Sequence, residues 1–600
     1  MESDRNSLFD DPGRYRRTTQ ALAPLRSADV APEGYDIYPS HPLPAGSIAH
    51  GFGSLAQRIA RCERVIIDGF AGIPWDDFRK RLDGELRYLG VQTEWLAIDN
   101  ALHEADAIGR LVRPFLGGDD PLWGTRFTGT IDDFFDKDKI QRIVPSVNAS
   151  LSILYGTGAS LGGWHGYLVY VDLPKNEIQY RARAGCATNL ASDRILPPKE
   201  AYKRSYFVDW PSLGQLRRRI LTQIDLFVDG QRADDPVFAS GKVVRGALRE
   251  MSRSFFRARP WFEPGPWGGD WMKRRIRTLP QEAPNYAWSF ELIAPENGLM
   301  FRSDDYLLEL SFDTLMQAHA SQVLGRAYAR FGEEFPIRFD YLDTVNGGNL
   351  SVQCHPRPDY IRRHFGENFT QDETYYIVDA EPGARVYLGF TADADADLLR
   401  QELEESARTG ATVDIDRYVN SMQVSRGDLL LIPNGTIHGS GAGNLVLEIS
   451  ATPYIFTFKM YDWIRRDLDG NLRPLNIERA WENLYVDRRG DTIAAKFRST
   501  PRLLREEPGR RLVHLPTHPE HFYDVVRYEF DDDVIVETDG DCHVMNLVEG
   551  EAISVEVEGC QGRRINTAES FVVPADAGRY RLVNRGPGRA KVVRAWVKRE

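Results

Sequence analysis

The chain has 600 residues, 42% apolar and 27% charged, with 75 Lys and Arg against 87 Asp and Glu and a net charge of −12. This composition excludes a fibrous, collagen-like or wholly disordered protein. The acidic balance gives no global attraction to nucleic acid or to an anionic membrane, so neither is expected as a partner. Cys62, Cys186, Cys354, Cys542 and Cys560 are scattered and form no CxxC pair, which suits a reducing cytoplasm rather than a disulfide framework. The N-terminus has neither a basic n-region nor an apolar h-region, and no run approaches about 18 apolar residues, so no signal peptide or spanning helix is expected.

Residues 1–60, rich in Pro, Gly, Arg and Ser with little periodicity, are expected to form an irregular N-terminal arm or a small β lead-in. Residues 64–69 read as a short apolar strand ending in Gly69, and 75–89 carry apolar residues at helical spacing. Further strand-like runs lie at 152–155 and 167–173, each near helix-forming stretches. Strands alternating with helices predict a parallel-sheet α/β domain over 61–240. Its loop 69–75 belongs at the carboxyl end of the sheet, where open α/β folds bind ligands. A helical stretch at 243–256 leads into the Pro/Trp/Gly-rich segment 259–269. Beyond it, short strands with Gly, Pro and Asn turns predict β-barrel or sandwich domains, with helical insertions at 311–333, 393–408 and 476–485. The acidic run 392–397 is expected to start one of those helices. A charged link near 498–510 separates a domain at 245–500 from a last all-β unit at 508–600. The fold class is therefore multidomain: an N-terminal parallel-sheet α/β domain followed by two β-barrels with helical insertions.

Three segments carry residues able to do chemistry. In Asn349–Pro356, Leu350, Val352 and Cys354 alternate with Asn349, Ser351, Gln353 and His355, so Gln353 and His355 share the polar face of a strand. Pro356 stops the ladder just after the His. Glu373 opens a second strand, 372–378. The third segment, Gly427 to His438, reads G-x5-P-x-G-x2-H: a buried strand runs into a tight Pro/Gly turn that re-aims the chain so that His438 faces inward. Two His, one Glu and one Gln on barrel strands make a divalent metal site, and imidazole with carboxylate suits one Zn2+ per chain with open positions for substrate or water.

These segments, with Gly443–Ile449, resemble the type I phosphomannose isomerases of the cupin superfamily, a resemblance extending over about 260–600. It implies that both β domains are cupin-type barrels and that Gln353, His355, Glu373 and His438 hold the metal. It also implies an aldose–ketose isomerase with a sugar-phosphate substrate, interconverting mannose 6-phosphate and fructose 6-phosphate through a cis-enediol. On the same resemblance, Lys459 and Arg465 would stabilise an enediolate or phosphate, and Trp288 and Glu291 would line the same mouth. Lys459 stands where the family usually has Arg, which leaves the substrate open. The alternatives are a non-catalytic sugar-phosphate-binding regulator or another sugar-phosphate enzyme on this scaffold. The last unit keeps a strand and turn at 568–580 but only His543 as an imidazole in its strand region, and is expected to be structural. Residues 61–235 resemble a uridine-kinase-like P-loop domain with a degenerate loop. Residues 69–75 lack the Lys and hydroxyl of a Walker motif, so an anion or nucleotide at this domain is expected to meet backbone amides only, without phosphoryl transfer.

Overall fold

The computed structural model describes residues 15–27, 34–118, 120–192, 194–466, 472–560 and 562–599. The chain divides into two compact units. One holds Tyr38–Met251 and Pro295–His319, the other Ser252–Ala294 and Ala320–Glu600, with short N-terminal pieces divided between them.

In the first unit, strand Arg64–Gly69 lies between Leu151–Tyr155 and Tyr167–Asp172, parallel to both. Thr93–Ala97 and Leu226–Asp229 extend this parallel core on its two sides. Helix Trp75–Tyr88 follows the first strand and buries Phe78, Leu82 and Leu86, its one apolar stripe. Two antiparallel strands, Val237–Ser240 and then Ile48–His50 at the edge, complete the sheet.

The expected boundaries of this domain need correction. Ile48–His50 joins the sheet as a small β lead-in, and helix Phe52–Ile59, which was not expected, buries Phe52, Leu55, Ala56 and Ile59. A three-residue strand and an eight-residue helix are too short to show periodicity against a Pro/Gly-rich background. At the other end, helix Gly241–Met251 belongs to this unit, and so does the hairpin Gly298–Ser303/Tyr306–Ser311. That hairpin lies inside the expected 245–500 domain. It is tied to the first unit through buried carboxylates: Ser311 N donates to Asp172 at 2.6 Å and Glu309 N to Asp229 at 2.9 Å. Buried acids that take backbone N–H groups give no local sequence signal of which sheet they serve.

The second unit contains two pairs of antiparallel sheets. The first pair is a six-stranded sheet, including Trp288–Leu292, Ile337–Asp343, Glu373–Ala380, Leu429–Ile432 and Asn444–Ala451, and a five-stranded sheet, including Val352–Cys354, Arg385–Phe390, His438–Ser440 and Phe458–Tyr461. Helices Ala396–Thr409 and Ile477–Asn483 are inserted between strands. The Asp395 side chain caps the first of these by accepting from Asp397 N and Leu398 N, both at 3.0 Å, and Gly410 at φ 78° ends it.

The second pair has six and four strands around an apolar core that includes Phe530, Met545, Leu547, Val555, Phe571 and Leu582. Here the expected link at 498–510 is corrected: Arg502–Glu507 and Arg510–Leu515 form a hairpin at the edge of the six-stranded sheet. Its cross-strand partners include Glu506 and Arg511. A charged edge strand blocks further pairing and needs no apolar face, so it reads as a linker.

Candidate metal centre

The first pair of sheets brings three predicted side chains together. His355 Nε2 lies 3.0 Å from Glu373 Oε1, and His438 Nε2 lies 3.3 Å from Glu373 Oε2. Ligand atoms of all three fall within 4.8 Å of one another, and all three residues are buried. Glu373 comes from the six-stranded sheet and His438 from the five-stranded sheet, so the cluster lies between them. Gln353 pairs with His438 in the five-stranded sheet, and its Nε2 is 3.5 Å from His438 Nε2. The turn before His438 needs its glycine: Gly435 has φ 68°, and a Cβ there would meet Asn483 O at 2.5 Å.

The donor set fits a divalent cation. His355 Nδ1 is 3.1 Å from Phe456 O, and His438 Nδ1 is 2.9 Å from Thr436 O. A carbonyl only accepts, so each imidazole carries its proton on Nδ1 and presents a lone pair at Nε2. Burial lowers the pKa of His438 despite Glu373, which keeps it neutral. His355 Nε2 and Glu373 Oε2 are buried with no hydrogen-bond partner. Two lone pairs facing a carboxylate in a dry site are unfavourable unless a cation lies among them. Gln353 Oε1 accepts from Ser351 Oγ at 2.9 Å. A hydroxyl can donate or accept, so the amide can equally turn its oxygen toward the cluster.

The other sequence-predicted residues separate. Lys459 pairs with Gln353 across the sheet, so Leu388, His438, Gln353 and Lys459 occupy one row and share one face. Arg465 is held elsewhere: Nη1 donates to Asp462 at 3.0 Å and Nη2 to Asn349 O at 2.6 Å. Glu291 is a correction. Its strand is three strands from that of Glu373, roughly 14 Å at ordinary strand spacing. Ser289, opposite Tyr341, points away from the face that carries Glu373, and Glu291 accepts from Ser289 Oγ on that outer side. It also accepts from the Tyr35 hydroxyl and, at 3.1 Å, from Ser570 N of the last barrel. A carboxylate so engaged braces the two pairs of sheets rather than lining the metal cluster.

Sequence reasoning left Arg338, Asp340 and Glu448 without a role. Arg338 and Glu373 both lie opposite Ser450, and Asp340 and Tyr375 both lie opposite Glu448, so all share the inner face. Arg338 reaches Asp340 at 3.2 Å and Glu373 at 3.5 Å, and also pairs with Glu448. Burial, with help from Glu373 and Glu291 and against Arg338, pushes the Asp340 carboxyl up to about 7. The signal was there: charged residues at period two inside otherwise apolar strands.

In the first unit, the expected loop lies at the carboxyl end of the sheet. There Ala71, Trp75, Asp99, His103 and Thr157 line a cavity of about 270 Å3 that no Lys or Arg lines. The first two amides of the loop are engaged, Gly69 N by Asp68 and Phe70 N by Val171 O at 3.0 Å. Asp68 accepts from Gly69 N at 2.7 Å, Gly158 N at 2.8 Å and Ser160 N at 2.9 Å, with Ser160 Oγ at 2.5 Å. A resident carboxylate thus takes the first amide of the loop, together with two amides from 158–160.

Residues 51–253 match a family described as a domain of unknown function, DUF8485. This match lends no support to the uridine-kinase-like reading. Part of the chain is homologous to mannose-6-phosphate isomerases. It is 27% identical over 228 residues to mannose-6-phosphate isomerase ManA of Bacillus subtilis, covering 38% of this chain and 67% of that one. It is also 27% identical over 230 residues to mannose-6-phosphate isomerase of Streptococcus mutans, with the same coverage of 38% and 67%. The crystal structure of the Bacillus subtilis mannose 6-phosphate isomerase superposes with a TM-score of 0.46 at 19% identity, over 57% of this chain and 99% of that one. Among the described residues, no helix is long and apolar enough to cross a membrane. A buried His/Glu/His cluster suited to a divalent cation thus sits in a chain that is, over part of its length, a relative of mannose-6-phosphate isomerases.

Proposed function

We propose that the chain is a metal-dependent aldose–ketose isomerase acting on a sugar phosphate, with mannose 6-phosphate and fructose 6-phosphate as the pair. The observation that carries this reading is the Glu373 carboxylate facing two imidazole lone pairs in a buried site. Gln353, His355, Glu373 and His438 would hold the ion, Zn2+ by donor chemistry. Bound there, it would supply Lewis-acid polarisation of a substrate oxygen.

The chain's own residues divide the remaining work. Phe456 O and Thr436 O fix the two imidazoles in one tautomer and orientation. Arg338 holds Glu373 in line and leaves it ionised. Lys459, in the row of Gln353 and His438, is the cation placed to meet a phosphate or a developing enediolate oxygen. Moving a proton between C1 and C2 needs a group that titrates near neutral pH, and Asp340 on the inner face meets that description.

A second reading is a sugar without phosphate. It is favoured by the saturation of Arg338 by Asp340, Glu373 and Glu448, which leaves a single guanidinium among three acids. The test is a coupled assay of the metal-loaded chain with mannose 6-phosphate and with mannose. Turnover of the phosphate supports the first reading; turnover of mannose alone replaces it with the second.

A further inference from the structure

The last barrel was expected to be purely structural, yet one end of it is built differently from its core. On strand Ala590–Val597, Ala590 and Val592 point into the apolar core. By the two-residue period of a strand, Arg594 and Trp596 follow on the same face. The register agrees: Arg594 lies opposite Val526 on one side and Met545 on the other, both core residues. On the neighbouring strand, His543 precedes Met545 by one period, and Asp524 faces Trp596. The core therefore turns polar at this end and opens into a cavity of about 420 Å3. That size is within the roughly 300–1,000 Å3 of small-molecule pockets, and a barrel mouth is a usual place for one.

One cation of the cavity lacks an acidic partner among the described residues. Asp524, Asp539 and Asp541 line it, but each is engaged by a cation or imidazole. His514 Nε2 lies 2.8 Å from Asp524. Arg326 and Arg599 reach Asp541 at 2.8 and 3.1 Å, and Arg599 lies 3.9 Å from Asp539. Arg594, by contrast, forms no ion pair among the described residues. Its Nη1 donates to Tyr528 OH at 2.8 Å, its guanidinium lies 4.4 Å from the Trp596 ring centroid, and its Nε is buried with no partner. Lys598 donates to the main-chain oxygen of His518 at 2.8 Å and also feels the Asp524 carboxylate. The Tyr580 hydroxyl donates to Met545 Sδ at 3.2 Å and lies 2.9 Å from His543 Nδ1, so it accepts the Nδ1 proton and leaves Nε2 of that ring as an acceptor. Burial, aided by Arg594 and Arg599, keeps this imidazole neutral by holding its pKa well below the usual range.

We propose that this cavity binds an anionic sugar, with its phosphate or carboxylate on Arg594, its apolar ring face against Trp596 and a hydroxyl donating to His543 Nε2. A planar guanidinium is the side chain best matched to either oxyanion, and an aromatic wall suits the C–H face of a pyranose. The site lies in the barrel that does not carry the His355/Glu373/His438 cluster. It is thus a second sugar-acid or sugar-phosphate site, independent of the proposed isomerase chemistry.

The test uses the full chain labelled with 5-fluorotryptophan, with the Trp596 resonance identified by its loss in W596F. Mannose 6-phosphate, glucuronate, inorganic phosphate and mannose are titrated in turn. The expected result is a saturable shift of that resonance with mannose 6-phosphate or glucuronate and none with mannose at the same concentration. Whichever sugar saturates first identifies phosphate or carboxylate as the natural anion. R594Q should raise the midpoint about tenfold or more, R594K should fall between the two, and H355A should leave the midpoint unchanged. The last variant separates failure here from failure at the metal cluster. No shift with either anionic sugar, an equal shift with mannose, a shift with inorganic phosphate only, or an R594K midpoint equal to wild type together with an unchanged R594Q midpoint would each overturn the proposal.

Discussion

Two buried carboxylates, Glu373 and Asp68, are 1% and 0% exposed and yet sit in opposite chemical surroundings. Asp68 is met by three backbone N–H groups and a hydroxyl, so every charge it brings is answered by a proton of the fold. Glu373 is met by two imidazole nitrogens whose protons point the other way, toward main-chain carbonyls. Among the described residues, only Arg338, at 3.5 Å, and Gln371, donating at 2.6 Å, offer it protons. The first arrangement is closed and needs nothing more. The second is short of positive charge on one side. Burial alone does not mark a functional acid; what marks it is a neighbour set that the protein itself leaves incomplete.

This contrast can be broken most severely at the metal cluster. His355→Ala removes one lone pair and should take bound metal from about one ion per chain to near zero, with isomerase turnover falling by at least about a hundredfold. Metal analysis of the purified variant checks this, and unchanged stoichiometry would remove His355 as a ligand. Asp68→Ala should act in the other currency. It leaves three buried amides unanswered and should destabilise the first unit by about 3–5 kcal/mol, read as a lower denaturation midpoint, while metal content stays at the wild-type value. A loss of metal in that variant would show that Asp68 is not a closed structural group.

Lys459→Met sharpens the comparison within the second unit. If Lys459 meets a substrate anion, kcat/KM for mannose 6-phosphate should fall about 10- to 100-fold with metal content unchanged. A parallel fall in bound metal would make Lys459 a brace for Gln353 instead. The smallest effect is a pH dependence. Burial, with help from Glu309, pushes the Asp229 carboxyl from 3.8 up to about 7. A raised folded-state value means stability that is fully present below about pH 4 and is lost as pH rises through about 7. Asp229→Asn should therefore lose less stability between pH 5 and pH 8 than the wild-type chain, measured as the change in urea midpoint. An identical loss in both would assign the dependence to other acids.

The parts of the candidate site that were legible in the sequence are those set by local geometry. The Gly427–His438 run is a strand, a tight turn and an inward His within one short segment, and Gln353 and His355 share a face by alternation alone. The central parallel strand Arg64–Gly69 was legible for a similar reason, as a continuous apolar run ended by glycine. Glu291 was misplaced because a resemblance to a Trp-x-x-Glu strand outweighed alternation, which sets Ser289 and Glu291 off from Trp288. Arg338, Asp340 and Glu448 were passed over although they alternate with apolar residues: Ile337–Asp343 and Asn444–Ala451 are buried throughout, and alternation alone does not tell a buried polar row from a solvated one. The return of 295–319 to the first unit depends on hydrogen bonds to Asp172 and Asp229, more than sixty residues away in the chain, and no local pattern encodes a partner at that distance.

The most direct test is to strip metal from the full chain with a chelator and to titrate Zn2+ back while following conversion of mannose 6-phosphate to fructose 6-phosphate. The account predicts no conversion without metal, recovery that saturates at about one ion per chain, and no recovery in Glu373→Gln. Conversion by the metal-free chain, or full recovery in Glu373→Gln, would contradict it.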